Sequence, residues 1–297
     1  MTKPRKGLSL TTRQGLTGNG FISPWIVGFI FFFLVPLCST IRYMFGDIKF
    51  GSGRVIFKYV GLENIKEMFF RNPDNGRMIL ENLWSSIGTT VLILIFSIFA
   101  ALLINQKFHG RALVRALFAL PIIVSSGVLL QVFKQDLFAQ TMTAEAGSIF
   151  QSSALEAAMI NMGLSNKIVT FVTGFVNSIM DIIWKAGVQI LLFLAGLQAI
   201  PTSLYEVSSV EGATAWQTFW KITFPLLTPY LILNTIYTII DSFTFYDNPV
   251  MAEVISLFRD MKYGWASVLS VVYSLVVFLL IGIVFLLLSR FAYYTEK

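Results

Sequence analysis

The sequence predicts an all-α membrane protein of six transmembrane helices, and three observations predict it. The 297 residues are 56% hydrophobic, include 28 Phe, and have a mean hydropathy of +0.73. Only 13% are charged, about half of the roughly 25% usual in soluble domains. Six apolar runs approach the roughly 20 residues a helix needs to cross the hydrocarbon layer, and none has the period-two polarity of a barrel strand. Backbone amides find no water in lipid, so such runs must be helical.

The first run, 22–43, follows a flexible basic tail, 1–20, that carries Lys3, Arg5, Lys6 and Arg13. A cleaved signal peptide would have a shorter apolar core and a small-residue cleavage site, so this run is expected to be a retained span. The second, 83–104, is rich in Ile, Leu and Phe. The third, 113–133, is interrupted by Pro121. The fourth, 176–199, carries Asp181, Lys185 and Gln189. The fifth, 224–245, opens with Pro225 and Pro229. The sixth, 266–291, is the most uniformly apolar. Three polar connections are long: 46–82, with Gly51, Ser52, Gly53 and an amphipathic piece 62–70; the Ala/Ser-rich 134–167; and the short aromatic 246–265. No internal repeat breaks the chain into parts, so residues 21–293 read as one six-helix domain, with 294–297 as a C-terminal end.

Lys and Arg set orientation by concentrating on the cytoplasmic side. The tail and the 105–115 loop (Lys107, Arg111, Arg115) are basic without acids, whereas Asp47, Glu63, Glu67, Asp74, Asp136 and Glu145 offset the basic residues of the opposite side. Both termini and the 200–223 loop are therefore expected in the cytoplasm.

Several chemistries are excluded or disfavoured. The net charge of +6 comes without a basic patch interleaved with aromatics, so nucleic acid is not an expected partner. The single Cys38 lies in an apolar run and reads as a packed thiol; the single His109 lies in a basic loop. No metal-ligand cluster or His-based catalytic triad is available. A phosphate-cradling G-x4-G-K-[ST] loop is absent, so no cofactor is expected on this chain.

The 200–223 loop differs from an ordinary polar connection. Pro201 stops the preceding helix. Ser203 is a candidate N-cap, with Glu206 three residues later as its capping-box partner. Gly212 ends that short helix. A second short helix, 216–222, places Trp216, Phe219 and Ile222 on one face, and Pro225 marks where the next span begins. A partly apolar helix-turn-helix held between two spans needs a protein to cover it.

This loop resembles the signature loop of bacterial ABC-importer permeases, E-A-A-x3-G-x9-I-x-L-P. Glu206, Gly212, Ile222 and Pro225 match in spacing; Val207, Ser208 and Phe224 replace the two Ala and the Leu. The resemblance implies that the loop seats in a groove on an ATPase subunit, with Tyr205, Glu206, Ser209, Glu211, Gly212, Ala213, Phe219, Ile222 and Pro225 as coupling residues and Glu206 facing a basic partner. Val60-Gly61-Leu62-Glu63-Asn64 through Phe69 is similar to a segment of MalF/UgpA-type carbohydrate permeases, and Asn82-Leu83-Trp84 and Arg115 through Pro121 resemble their span entries. The segment 134–167 departs from that pattern. The likeness implies a sugar or oligosaccharide substrate, a second permease subunit as heterodimer partner, an ATPase dimer and an extracytoplasmic solute-binding protein.

Polar residues inside spans default to a solute path or an internal pair. Asp181 and Lys185 are four apart on one face and could pair with each other; Gln189 continues that face. On the fifth span Asn234, Tyr237 and Asp241 form a polar stripe extended by Phe245. Amides, a carboxylate and aromatic rings suit a sugar; an interhelical hydrogen bond is the alternative for Asn234. An ABC importer of a non-sugar solute, an ion-coupled secondary transporter and a membrane-embedded enzyme using Asp181 and Asp241 are the rival classes.

Overall fold

The computed structural model describes residues 10–51, 54–106, 113, 153–245 and 248–291. The third expected span, 113–133, falls outside them apart from Leu113, as do 134–152 of the following connection and the 294–297 end. The elements in order are α1 (Leu10–Phe29), α2 (Val35–Met44), β1 (Gly46–Gly51), β2 (Arg54–Tyr59), α3 (Glu63–Lys66), α4 (Asp74–Asn105), α5 (Ser153–Asn161), α6 (Asn166–Lys185), α7 (Gly187–Ala199), α8 (Thr202–Val210), α9 (Ala215–Thr218), α10 (Phe224–Thr244), α11 (Pro249–Arg259) and α12 (Tyr263–Ser289). Among the described residues five continuous helical stretches are long and apolar enough to cross a membrane, and a sixth results if the bent pair α7 and α8 is counted as one. The protein is an all-α membrane protein, with a two-stranded hairpin among the described residues.

Wide, π-helical turns occupy Ile30–Leu34, Glu67–Arg71 and Phe219–Thr223. Each ends two residues before a proline: Pro36, Pro73 and Pro225. Proline donates no N–H, and its ring crowds the carbonyl four residues back. A turn that bonds five residues back makes room for it: the Val35 amide donates to Ile30 O and the Phe224 amide to Phe219 O. At Pro36 and Pro225 the helix continues. At Asn72, before Pro73, the backbone leaves the helix (φ −120°, ψ 78°).

The chain divides into two compact units. One comprises residues through Ile79 with Pro249–Leu275. Its hairpin pairs Gly46 with Tyr59 through Gly51 with Arg54. The alternating Asp47-Ile48-Lys49-Phe50 and Val55-Ile56-Phe57-Lys58 around Gly51-Ser52-Gly53 give this strand signal within a connection expected to be loop. Asn64 ties the hairpin to α3, its Nδ2 donating to Met44 O (3.1 Å) and Gly46 O (2.9 Å). Arg42 lies 4.6 Å over the Phe57 ring. Among the described residues no side chain in the first span's apolar window is buried, and Cys38 is exposed rather than packed. Helix α1 begins at Leu10, within the tail expected to be flexible. The aromatic connection after the fifth span is largely helical, α11, which buries Val250 and Leu257 seven residues apart on one face.

The other unit comprises Leu80–Asn248 and the residues from Val276 onward. Its core joins Ile93, Leu94 and Ala101 of α4 to Ile190, Phe193, Leu194 and Leu197 of α7 and Leu227 of α10. Helices α7 and α10 approach closely at Gly196, where a Cβ would lie 2.7 Å from Tyr230 Cγ and 2.9 Å from Leu227 Cδ2. Asn82, from the segment resembling sugar permeases, accepts from Asn248 Nδ2 at 3.1 Å. The Ala/Ser-rich connection contributes α5, as its helix-favouring composition allows. The fourth expected span, 176–199, is not one helix: α6 starts at Asn166 and ends at Lys185, and α7 starts after Ala186.

Candidate functional site

Two groups of residues carry the candidate function, an elbow (201–223) and a polar seam between α7 and α10. In the elbow, Pro201 forces Ile200 into an extended conformation (φ −73°, ψ 123°), and α7 stops. Helix α8 then leaves at 65° to α7. Its N-cap is Pro201, without a side-chain cap, so the Ser203–Glu206 capping box expected from sequence does not form. The capping box lies eleven residues on. Thr214 Oγ1 accepts from the Gln217 amide (3.3 Å), and Gln217 Oε1 accepts from the Thr214 amide (2.9 Å). The T-x-x-Q spacing was a readable signal for it.

Helix α8 ends in a Schellman motif. Gly212 has φ +73°, its amide donates to Ser209 O (3.1 Å), and the Ala213 amide donates to Ser208 O (2.9 Å). Nothing within 4 Å would meet a Cβ at Gly212, so the backbone angle alone demands glycine. Two side-chain bonds then fasten α8 to the following helix: Thr218 Oγ1 donates to Ser208 Oγ (3.3 Å), and the Tyr205 and Thr223 hydroxyls lie 3.2 Å apart. Ser208 is buried and stands where the signature loop has alanine, so this departure from the pattern supplies a cross-link.

The second elbow helix is not a separate piece. Helix α9, the wide turn and α10 form one continuous helix, Ala215–Thr244, because the wide turn accommodates Pro225. Trp216, Phe219, Trp220 and Phe224 form an edge-packed cluster along it, with centroids 5.1–6.0 Å apart. Tyr205, Ala213, Phe219, Ile222 and Pro225 are half-buried, whereas Glu206, Ser209, Glu211 and Gly212 are exposed. Val207 and Val210 join them at the surface, Val210 at 89% exposure. The Glu206 carboxylate has no hydrogen bond or ion pair among the described residues.

The polar seam has two levels. At the inner level Gln189 and Asn234 are completely buried. Asn234 Nδ2 donates to Gln189 O (3.0 Å), Gln189 Nε2 to Thr238 Oγ1 (3.2 Å), and Thr238 Oγ1 to Asn234 O (2.7 Å). These bonds clasp α7 to α10, and Gln189 Oε1 and Asn234 Oδ1 find no partner among the described residues. Thr238 was missed from sequence, although it lies four residues past Asn234 on the same face. At the second level Lys185, Tyr237, Asp241 and Phe245 are half-buried. The Lys185 ammonium lies 4.6 Å over the Phe245 ring, and Asp241 interacts electrostatically with Lys185 and with Tyr237. The pairing of Asp181 with Lys185 does not form: Asp181 is exposed, and Lys185, the last residue of α6, turns to Phe245.

This arrangement offers a stiff, partly apolar handle at one end of a span and a half-open cluster of charge, hydroxyl and aromatic ring on the same helix. No protein-family model matches the chain. It is 27% identical to "Probable ABC transporter permease protein YesP" of Bacillus subtilis, over 96% of this chain and 94% of that protein. It is 30% identical to the arabinooligosaccharides transport system permease protein AraP of Halalkalibacterium halodurans, over 76% of this chain and 68% of that protein. In fold it matches a chain of a bacterial ABC transporter involved in the import of the acidic polysaccharide alginate, with a TM-score of 0.65 at 17% identity over 94% of this chain and 96% of the other.

Proposed function

The chain belongs to the family of ABC-importer sugar permeases, and from that premise we propose that it carries a sugar or oligosaccharide inward by alternating access driven by a separate ATPase. The elbow 201–223 is the seat of the ATPase on the cytoplasmic side. Glu206, exposed and unpaired, meets a basic residue there, and the apolar Val207, Val210 and Trp216 are covered. ATP and Mg sit on the ATPase dimer. A second permease chain completes the path, and a solute-binding protein delivers the sugar to the outer face of the bacterial inner membrane, with both termini of this chain inside.

The observation that carries this reading is the fastening of the elbow to a single 30-residue helix, Ala215–Thr244, that also bears Tyr237 and Asp241. A push on the elbow therefore moves the polar seam without an intervening joint. In the seam Gln189, Asn234 and Thr238 hold the two helices in register. Tyr237, Asp241, Lys185 and Phe245 meet the solute: hydroxyls bond the carboxylate, ammonium and phenol, and the ring covers an apolar sugar face. Asp181 stands on the exposed side of α6, at the approach to that cluster.

Reconstitution tests the reading. Vesicles holding this chain, its partner permease and the ATPase are expected to take up arabinotriose or maltotriose only with internal ATP and added binding protein. Uptake driven by a proton or sodium gradient without ATP would make the chain a secondary transporter. ATP-driven uptake confined to non-sugar solutes would keep the importer and remove the sugar.

A further inference from the structure

Away from the elbow and the seam, the hairpin and the start of α12 enclose a crevice of about 260 Å³. Its floor is fixed in place. Asn64 is buried and spends both amide protons on the Met44 and Gly46 carbonyls. Gly264 abuts the same carbonyl, since a Cβ there would come within 2.6 Å of Gly46 O. The turn leading into the crevice is strained: Met261 has φ +59°, the one positive value outside glycine among the described residues. That conformation costs about 1–2 kcal/mol, and such strain gathers at ligand clamps. The rim is polar and aromatic. Asp47, Tyr263 and Trp265 line it with Lys262, whose ammonium lies 5.3 Å from the Trp265 ring centroid and 3.8 Å from the Asp260 carboxylate.

We infer that this crevice is an entry subsite for a single sugar ring, on the membrane side opposite the elbow. The inference rests on the sugar-transport reading above. The side follows from the chain: the helix Ala215–Thr244 crosses the membrane between the elbow and this segment. The size follows from the volume, which lies below the roughly 300–1,000 Å³ of sites for drug-sized ligands and so admits one ring rather than a chain of them. Indole offers the broad apolar face that the C–H side of a sugar covers. Lys262 occupies that face now. Its side chain is 49% exposed, so it can swing aside and donate to a hydroxyl, while Asp47 accepts from another.

The test uses this chain assembled with its partner permease and ATPase in nanodiscs, without binding protein, and saturation-transfer NMR with arabinotriose and maltotriose. A sugar signal is expected, falling about five-fold in Trp265→Leu, the loss of one ring contact, and restored in Trp265→Tyr. In Asp241→Asn the signal is expected to fall by the seam's share alone, and the Trp265-dependent share to remain. Assembly is checked by size-exclusion profile. A signal indifferent to Trp265→Leu in an assembled complex overturns the subsite, as does a Trp265→Leu defect seen only in binding-protein docking. Wild-type vesicles that import no sugar at all would instead overturn the underlying function, so the two failures are distinct.

Discussion

The two flanks of the elbow are built in opposite ways. On one side Pro201 ends α7, Ile200 is extended, and the chain bends by 65° into α8. On the other, Pro225 sits inside a helix that runs unbroken from Ala215 to Thr244. Both junctions contain proline, so proline by itself does not decide the outcome. The difference is the turn before it. Phe219–Thr223 is wide enough to accept the ring, whereas nothing widens the end of α7. One flank is thus a joint and the other a rod. In the proposed mechanism the rod delivers displacement to Tyr237 and Asp241, and the joint lets α7 follow without carrying the load.

The contrast can be broken most severely at the knuckle between the flanks. Gly212→Val places a β-branched residue at φ +73°, at a local cost of about 1–2 kcal/mol. Sugar uptake is expected to fall about ten-fold or more, with assembly retained in pull-down of the ATPase through other contacts; uptake at the wild-type rate would show that the knuckle does not transmit. Exchanging the two prolines singly comes next. Pro201→Ala lets α7 run on toward α8 and stiffens the joint, so uptake is expected to drop several-fold, about 1 kcal/mol in the coupled step. Pro225→Ala leaves the rod continuous and is expected to change uptake little; equal effects would erase the distinction. Asn234→Ala removes one arm of the clasp and is expected to cost about 1 kcal/mol, read as a lower melting temperature of the purified complex. Thr214→Ala, the smallest change, removes the cap of the rod at about 0.5–1 kcal/mol and is expected to increase hydrogen exchange at the Gln217 amide while leaving the exchange of α8 unchanged.

The sequence made the spans legible because lipid leaves a backbone no alternative to helix. It also made the elbow legible, since Pro201, Gly212 and Pro225 are punctuation with steric causes. It did not reveal that Ser203 and Glu206 leave the cap unformed: Pro201 already sets the entry geometry, and Thr214 with Gln217 does the capping at the second helix. The break at Ala186 carried only a short signal, Lys185 in the last turn and Gly187 just beyond it, with no Pro, inside a run read as one span. The hairpin was hidden for a different reason, since two six-residue strands in a long polar connection give a signal easily read as loop. In the seam, the residue types that suit a sugar also suit a helix clasp. Only packing separates Gln189 and Asn234, sealed within the bundle, from Lys185 and Asp241, which stay half-open.

The three wide turns have a consequence for length. Each carries one surplus residue relative to an ordinary turn, stored beside a proline rather than spread along the helix. An insertion or deletion elsewhere in the rod would rotate everything downstream by roughly 100°, the angular step of one residue in an α-helix, and would turn Tyr237 and Asp241 away from Lys185. A residue lost within Phe219–Thr223 turns the wide turn into an ordinary one and leaves that facing intact. The distance from handle to seam can therefore be adjusted at this point without changing what the seam presents.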